Sequence, residues 1–483
     1  GQTESTMLDR TPATATGTPE RAAAPRVDLF LAPELGNTSY LVSDPDAGVA
    51  VVVDPMRDVG QYLDAAARLG VRITHTLETH CHNDFVSGGR ELAREVGARV
   101  GAAESAGLAF DHLPLRADSQ IPLGRWQVSV RPTPGHTPSH VSYVVGTPRR
   151  PLGFFSGGAL MRGAIARTDL FGPDHAPGLA LEAYRTLQVR LRDLPDDVAL
   201  YPTHGGGSFC ATGAPAGQTS TLGDERRTNP YLVTTDLMAF MARALHQTSH
   251  PAYYAEMTEL NRTGARVAGR HLPPLRSLDA DQVAEAQQRG AVVVDVRDGR
   301  SFDGGHLPGS LCVGIAGSFS AWVGWLVPRG RPIVLTGGSG GEHEEAQRQL
   351  FRIGFDDLLG ALDGGVEAWR ASGREVRQFE SAEVAELATW ILSGERVTVL
   401  DVRNEDEWAR GHVPGALHVE VAEIPHHAHD LPPDAPVAVY CAGGYRSAIA
   451  ASLLGQAGLG QVVHVDSPFG DWNRLNLTET VPG

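Results

Sequence analysis

Residues 295–313 read DVRDGRSFDGGHLPGSLCV and residues 401–419 read DVRNEDEWARGHVPGALHV. The copies begin at Asp295 and Asp401, 106 residues apart, and their histidines, His306 and His412, keep that spacing. In each copy a β-rich run ends in Asp-Val-Arg, a helix-like stretch follows, and a Gly-His-x-Pro-Gly turn closes the unit. A second β-run comes later, PIVLTG in one copy and VAVYCAG in the other, and each leads into a helix. Strand–helix–strand alternation of this kind implies parallel sheets, because parallel neighbours need a crossover. A period this long exceeds the roughly 20–50 residues of solenoid units, so two α/β domains of one fold are expected.

Upstream the pattern changes. VDLFLAP, NTSYLVSD and GVAVVVDP are strand-like runs separated by Gly, Pro, Asn and Asp,. Asp58 to Leu69 has helical spacing and stops at Gly70, after which RITHTLET predicts a strand leading into THCHNDFVSGG,. WQVSVRP, HVSYVVG and LGFFSG predict further strands, GLALEAYRTLQVRL a helix, and VALYPTHGG a last strand. Residues from about Thr219 to Arg270 read as connecting helices. The expected organisation is a floppy Ala-, Thr- and Pro-rich tail over 1–25, a first domain over 26–270, and the two repeated domains over 271–378 and 379–483.

The composition agrees with several folded domains: 483 residues, 42% apolar, 20% charged, with 56 Gly and 32 Pro,. Lys and Arg total 41 against 57 Asp and Glu, a net charge of −16 that argues against nucleic acid and anionic membrane partners,. The sequence contains no apolar run of about 18 residues and no signal-peptide pattern,. Four scattered cysteines, Cys81, Cys210, Cys312 and Cys441, do not make a disulfide framework, which points to a reducing, cytoplasmic setting,.

Two regions carry chemistry. CAGGYRSAIAASLL begins at Cys441. A strand ending at Tyr440, a Gly-containing loop and a helix starting near Ser447 would turn backbone N–H groups toward the Cys441 sulfur, and Arg446 would add positive charge, favouring thiolate or persulfide. In the first domain, His80, His82 and Asp84 follow one strand, His136 and His140 another, and His204 a third. Three histidine loops at strand ends suggest one shared site for a borderline ion such as zinc or iron(II).

The Cys441 loop, with DVRNEDEWARGHVPGALHV upstream, resembles the rhodanese sulfurtransferases. The resemblance implies that Cys441 carries sulfane sulfur and that Arg446 with the backbone of Ala442, Gly443, Gly444 and Tyr445 cradles it. Asp401, Arg403 and His412 are expected to be structural. The earlier copy reads GGSGGEHEEA after its strand, and a constant offset places Leu335 and Gly340 where Cys441 and Arg446 stand. That domain is expected to be a silent spacer or docking module, with Cys312 as core packing.

The histidine region, with GHTPSHVSY, ARTDL, PTHGGGS and ERRTNPYL, resembles the metallo-β-lactamase fold, an αββα sandwich, and within it the persulfide dioxygenase and rhodanese-fusion branch. That branch holds iron(II) with two histidines, which transfer to His80 and His136, and an aspartate, which here is Gly158 in FFSGGALMRG. With the carboxylate lost, His82 is the expected third ligand, giving a His80, His82, His136 centre with one iron(II) or zinc(II) ion per chain. Phe85 stands where a two-metal site has another histidine, so one metal is expected. Asp84 is assigned to orienting a ligand or accepting a proton, and Asp169 and His204 are held in reserve, with structural roles favoured.

The resemblance implies an enzyme of sulfur metabolism acting on a small-molecule thiol persulfide or thiosulfate, as a persulfide dioxygenase, a thiosulfate sulfurtransferase or both. It also implies a homo-oligomer. The alternatives are a zinc hydrolase of a thioester-like substrate joined to a sulfur carrier, and a metal-free scaffold joined to the sulfurtransferase.

Overall fold

The computed structural model describes residues 24–211 and 220–480. The expected tail over 1–25 falls almost wholly outside them. Six strands form a first sheet in sequence order: β1 (Arg26–Ala32), β2 (Asn37–Asp44), β3 (Val49–Val53), β4 (Arg72–Leu77), β5 (Arg99–Ala103) and β6 (Leu113–Leu115). A second sheet runs β7 (Gln120–Leu123), β8 (Trp126–Pro132), β9 (Val141–Thr147), β10 (Arg150–Gly157), β11 (Ala199–Pro202) and β12 (Ser220–Thr221), again in order.

Alternation along these strands builds the sandwich. Tyr40, Val42, Val51 and Val53 face the second sheet and meet Val128, Val130, Tyr143 and Phe155. Their neighbours Leu41, Ala50 and Val52 point the other way, onto Tyr62, Leu63 and Ala66 of the helix Gly60–Leu69. On the far side, Phe154 and Leu200 pack on Ala180 and Ala183 of the helix Ala176–Arg185. The result is the αββα arrangement expected from the sequence, and its histidine loops all leave from one end. Short helices Leu222–Thr228, Pro230–Val233, Leu237–Leu245 and Tyr254–Thr263 follow.

The repeated half forms two parallel five-stranded sheets of identical topology. In the first, β13 (Ser277–Leu278), β14 (Val292–Asp295), β15 (Leu311–Cys312), β16 (Ile333–Thr336) and β17 (Leu358–Leu362) take the order β13-β17-β16-β14-β15. In the second, β18 (Glu380–Ala382), β19 (Thr398–Asp401), β20 (Leu417–His418), β21 (Val437–Tyr440) and β22 (Val462–Val465) take the order β18-β22-β21-β19-β20. The repeated motif is scaffolding in both. Arg297 bonds Asp295 and the Gly305 carbonyl, and Arg403 bonds Asp401 and the Gly411 carbonyl, in each case with 2.7 Å contacts. His306 stacks on Phe302 and His412 on Trp408, each ring donating Nδ1–H to the carbonyl of the residue it covers.

The strand register corrects the constant offset. Asp295 pairs with Thr336 and Asp401 with Tyr440, so the residue in the place of Cys441 is Gly337, not Leu335. The earlier copy has two more residues between these strands. Gly337 has φ +73, and a Cβ there would lie 2.5 Å from Asp295 Oδ1, so no side chain fits. By the helix caps, Ser339 in one copy and Gly444 in the other, Gly341, not Gly340, stands in the place of Arg446, so the guanidinium is absent there.

The first domain and the silent copy are locked by crossed ion pairs. Arg352, at the end of the helix Gly340–Arg352, reaches Glu34 at 2.8 Å and both oxygens of Asp58 at 2.9 Å. Arg57 returns the contact with two bonds to Asp356, at 2.6 and 2.9 Å. Arg352 is 5% exposed and Glu34 4%. Breaking a buried pair strands a charge at a cost of about 3–5 kcal/mol. Arg352→Ala is therefore expected to lower the thermal unfolding temperature of the full chain, with Arg352→Lys restoring little because one ammonium cannot serve both carboxylates in this geometry. Among the described residues, no helix is long and apolar enough to cross a membrane.

Candidate functional site

Three loops at the end of the sandwich bring His80, His136 and His204 together, all buried. Each ring has its Nδ1 proton pinned. His80 Nδ1 lies 2.8 Å from the Thr79 hydroxyl, which spends its own proton on Asp54, so the imidazole donates. His136 Nδ1 donates to the Arg167 carbonyl at 2.7 Å, and His204 Nδ1 donates to Asn37 Oδ1 at 2.9 Å. The second nitrogens are therefore bare. Nε2 of His80 and His204 face one another at 3.3 Å, and Nε2 of His136 is buried with no partner.

Burial pushes the pKa of His136 and of His204 down to about 3 and that of His80 well below its usual value, so all three rings are neutral,. Neutral imidazoles with carbonyl or hydroxyl partners behind them are the form that binds a divalent ion. Lone pairs converging without a proton between them repel, and a cation among them removes the repulsion.

His82 stands apart from the trio expected for it. Its Nε2 lies 3.1 Å from Asp54 Oδ1 and 3.3 Å from Glu78 Oε2, while its ring stacks on Phe85. Burial disfavours its charge, but the two carboxylates outweigh burial and push its pKa up to about 10. A cationic ring is a poor neighbour for a second cation, and His82 groups with Asp54 and His80, or with Asp84 and His204, rather than with His80 and His136. His204, held only in reserve from the sequence, joins His80 and His136 in one of the three clusters that could hold an ion. Asp84 is buried, accepts from Asn37 Nδ2 at 2.5 Å and leaves its other oxygen without a partner beside the cluster. The Asn37 amide thus links Asp84 to His204.

His140 has both nitrogens occupied, by Thr133 at 2.8 Å and by the Gly158 N–H at 3.0 Å. At Gly158 a Cβ would lie 2.7 Å from His136 Cδ2 and 2.8 Å from Ala166 Cβ, leaving no space for a carboxylate. Asp169 pairs with Arg167, whose carbonyl holds His136. Asp54, which opens the DPMRD segment upstream of the histidine loops, is the hub: it accepts from Thr79, Thr203 and His82 and holds a positive φ of 51. Strained non-glycine backbone of this kind concentrates at functional sites.

Cys441 sits at the end of β21. The helix Tyr445–Gln456 starts two residues before the expected Ser447, because Gly444 adopts φ +100 and turns the chain directly into the first helical turn. The Gly444 N–H then reaches Sγ at 3.0 Å. Among Ala442, Gly443, Gly444 and Tyr445, this is the amide that touches the sulfur; Ala442 offers its carbonyl to Phe469 instead. Arg446 is held by two bonds to Glu407, at 2.7 and 2.8 Å. Tyr445 donates its hydroxyl to the Gly314 carbonyl of the silent domain. Cys441, which is buried, and Arg446 line a cavity of about 360 Å³ to which all three domains contribute, with Phe209 from the first and Trp322 and Trp325 from the silent copy. Phe209 also connects to the histidine cluster: its carbonyl accepts from Arg167. Cys312 is buried in β15, its thiol pKa pushed well up by burial, in keeping with core packing.

Known families match the chain in the same order. The metallo-beta-lactamase superfamily matches residues 32–204, and the rhodanese-like domain family matches 279–372 and 383–475. The mitochondrial persulfide dioxygenase ETHE1 of Homo sapiens is 29% identical over 196 residues, 40% of this chain and 70% of that protein. A hydroxyacylglutathione hydrolase of a Polaromonas species is 32% identical over 171 residues, 35% of this chain and 62% of that protein. The crystal structure of a metallo-beta-lactamase from Staphylococcus aureus superposes with a TM-score of 0.64 at 28% identity, covering 70% of this chain and 99% of that one.

Proposed function

Since this chain is a metallo-β-lactamase domain followed by two rhodanese-like domains, we propose that it processes a low-molecular-weight persulfide or related sulfane-sulfur compound in the first domain and transfers sulfane sulfur through Cys441 in the last. The observation that carries this reading is the Gly444 N–H aimed at Cys441 Sγ from 3.0 Å, at the wall of a cavity shared with the first domain. An amide donor stabilises sulfur anions, both the attacking thiolate and the persulfide it becomes. Arg446 adds a fixed guanidinium that suits an anionic donor such as thiosulfate. The silent domain supplies Trp322 and Trp325, which line the cavity.

In the first domain, His80, His136 and His204 would hold one divalent ion. When bound, such an ion supplies Lewis-acid polarisation of the substrate, and iron adds redox chemistry with dioxygen. Asn37, Thr79 and the Arg167 carbonyl orient the three rings, and Asp84 offers a buried oxygen for a proton. Joining the two sites in one chain raises the effective concentration of one site's product at the other.

Gly158 favours a second reading. Three imidazoles without a carboxylate are a donor set of zinc hydrolases, which suits cleavage of a thioester-like bond. Elemental analysis of the purified chain with oxygen-electrode measurements separates the two. Iron together with persulfide-dependent oxygen uptake is the result expected of sulfur oxidation; zinc, no uptake and thioester cleavage would replace it with hydrolysis.

A further inference from the structure

The silent rhodanese-like domain lacks a nucleophile, yet it sends one acidic side chain into the back of the Cys441 site. Asp303 ends the helix Gly299–Asp303. Its Oδ2 lies 2.7 Å from His464 Nδ1, across the boundary between the two repeated domains. His464 Nε2 lies 3.0 Å from the Ser447 hydroxyl, and that oxygen lies 3.4 Å from Cys441 Sγ. Ser447 and His464 are fully buried and Asp303 nearly so. We propose that Asp303, His464 and Ser447 form a proton relay that draws the proton from Cys441, so that the silent domain is a working part of the sulfurtransferase site. The proposal rests on Cys441 being the sulfur carrier.

The Cys441 S–H proton passes to Ser447 Oγ, the Ser447 proton passes to His464 Nε2, and the imidazolium is paired with Asp303 through Nδ1–H. The Gly444 carbonyl, 3.0 Å from Ser447 Oγ and 3.2 Å from His464 Nε2, accepts from the imidazolium once the hydroxyl has turned toward the thiolate. The thiolate then attacks the outer sulfur of thiosulfate, an S–S bond forms on Cys441, the original S–S bond breaks, and sulfite leaves with the bonding pair. A carboxylate on Nδ1–H fixes the neutral tautomer whose bare Nε2 can take a proton, and it stabilises the imidazolium that then forms.

Other charges around the relay are already matched. Arg446 pairs with Glu407 beside the sulfur, Arg403 with Asp401 at the foot of β21, and Arg300 with Asp466 on the outer side. Cys312, behind Asp303, donates toward the Arg297 carbonyl. The Ser381 hydroxyl also donates to Asp303 Oδ2 and fixes it, so Asp303 is the acid aimed at His464.

The test is the pH dependence of Cys441 alkylation by iodoacetamide in the full chain, read by peptide mass spectrometry so that Cys81 does not contribute. Asp303→Asn keeps an acceptor for His464 and removes only the charge. Its midpoint is expected to rise by about one pH unit or more, a roughly tenfold slower reaction near neutrality that recovers in alkali. Ser447→Ala, which cuts the relay in the middle, is expected to shift the midpoint in the same direction, and serves if the first variant does not fold. Profiles that superpose on the parent overturn the relay. If the parent also takes no sulfur from thiosulfate, the carrier assignment has failed; if it does and the profiles still superpose, the relay alone has failed.

Discussion

Cys441→Ala is expected to abolish sulfur transfer from thiosulfate to cyanide while leaving the metal content of the first domain unchanged. The loss should be at least about 1,000-fold, the scale on which removal of a catalytic nucleophile acts. Every group poised at the site is arranged for that sulfur: the Gly444 amide donates to it, Ser447 touches it, and Arg446 stands beside it at the cavity wall. Without Sγ the Gly444 amide and the Ser447 hydroxyl have no sulfur anion to stabilise. In the silent copy Gly337 stands in the nucleophile's place and Gly341 in the guanidinium's. Discontinuous thiocyanate measurement with the variant and the parent checks it, and activity near parental levels would remove Cys441 from the reaction.

His204→Ala is expected to weaken metal binding by at least about 100-fold, more than the loss typical of altering a residue behind a ligand. The sequence favours His82 as third ligand; the geometry favours His204, whose bare Nε2 faces that of His80 while His82 is engaged by Asp54 and Glu78. Equilibrium dialysis against zinc or iron(II), followed by elemental analysis, separates the two. His204→Ala should lose the ion, whereas His82→Gln should retain most of it and chiefly loosen the Asp54 network. The opposite ranking would return the third place to His82. Sulfur transfer through Cys441 should survive either change.

The architecture was legible because it is written in periodicities. β-Rich runs bounded by Gly, Pro, Asn and Asp announce strands such as β2 and β3, and the matched Asp-Val-Arg and Gly-His-x-Pro-Gly segments announce a duplicated α/β unit. The Cys441 loop was legible because a Cys, two Gly and an Arg between strand and helix form a local signal. What the sequence hid is what depends on register and on distant contacts. A two-residue difference between the copies moved the position equivalent to Cys441 from Leu335 to Gly337, visible only once Asp295 was seen opposite Thr336. The choice between His82 and His204 turns on Asp54, 28 residues before His82 and held at a positive φ that nothing local requires.

The relay behind Cys441 left one trace. His464 interrupts the otherwise apolar strand β22, reading VVHV, and a buried polar ring in such a run needs a partner,. The partner is Asp303, 161 residues away in another domain, which no local pattern connects to it. The same distance effect governs the interface, where Arg352 finds Glu34 318 residues earlier.

The central claim is that Cys441 takes up sulfane sulfur. It is tested most directly by incubating the full chain with thiosulfate, blocking free thiols and sulfur anions with an alkylating reagent, and mapping peptides by mass spectrometry. The peptide that carries Cys441 is predicted to gain the mass of one sulfur atom, and to lose it on addition of cyanide. A Cys441 peptide that gains no sulfur while the chain still transfers sulfur to cyanide would contradict the account.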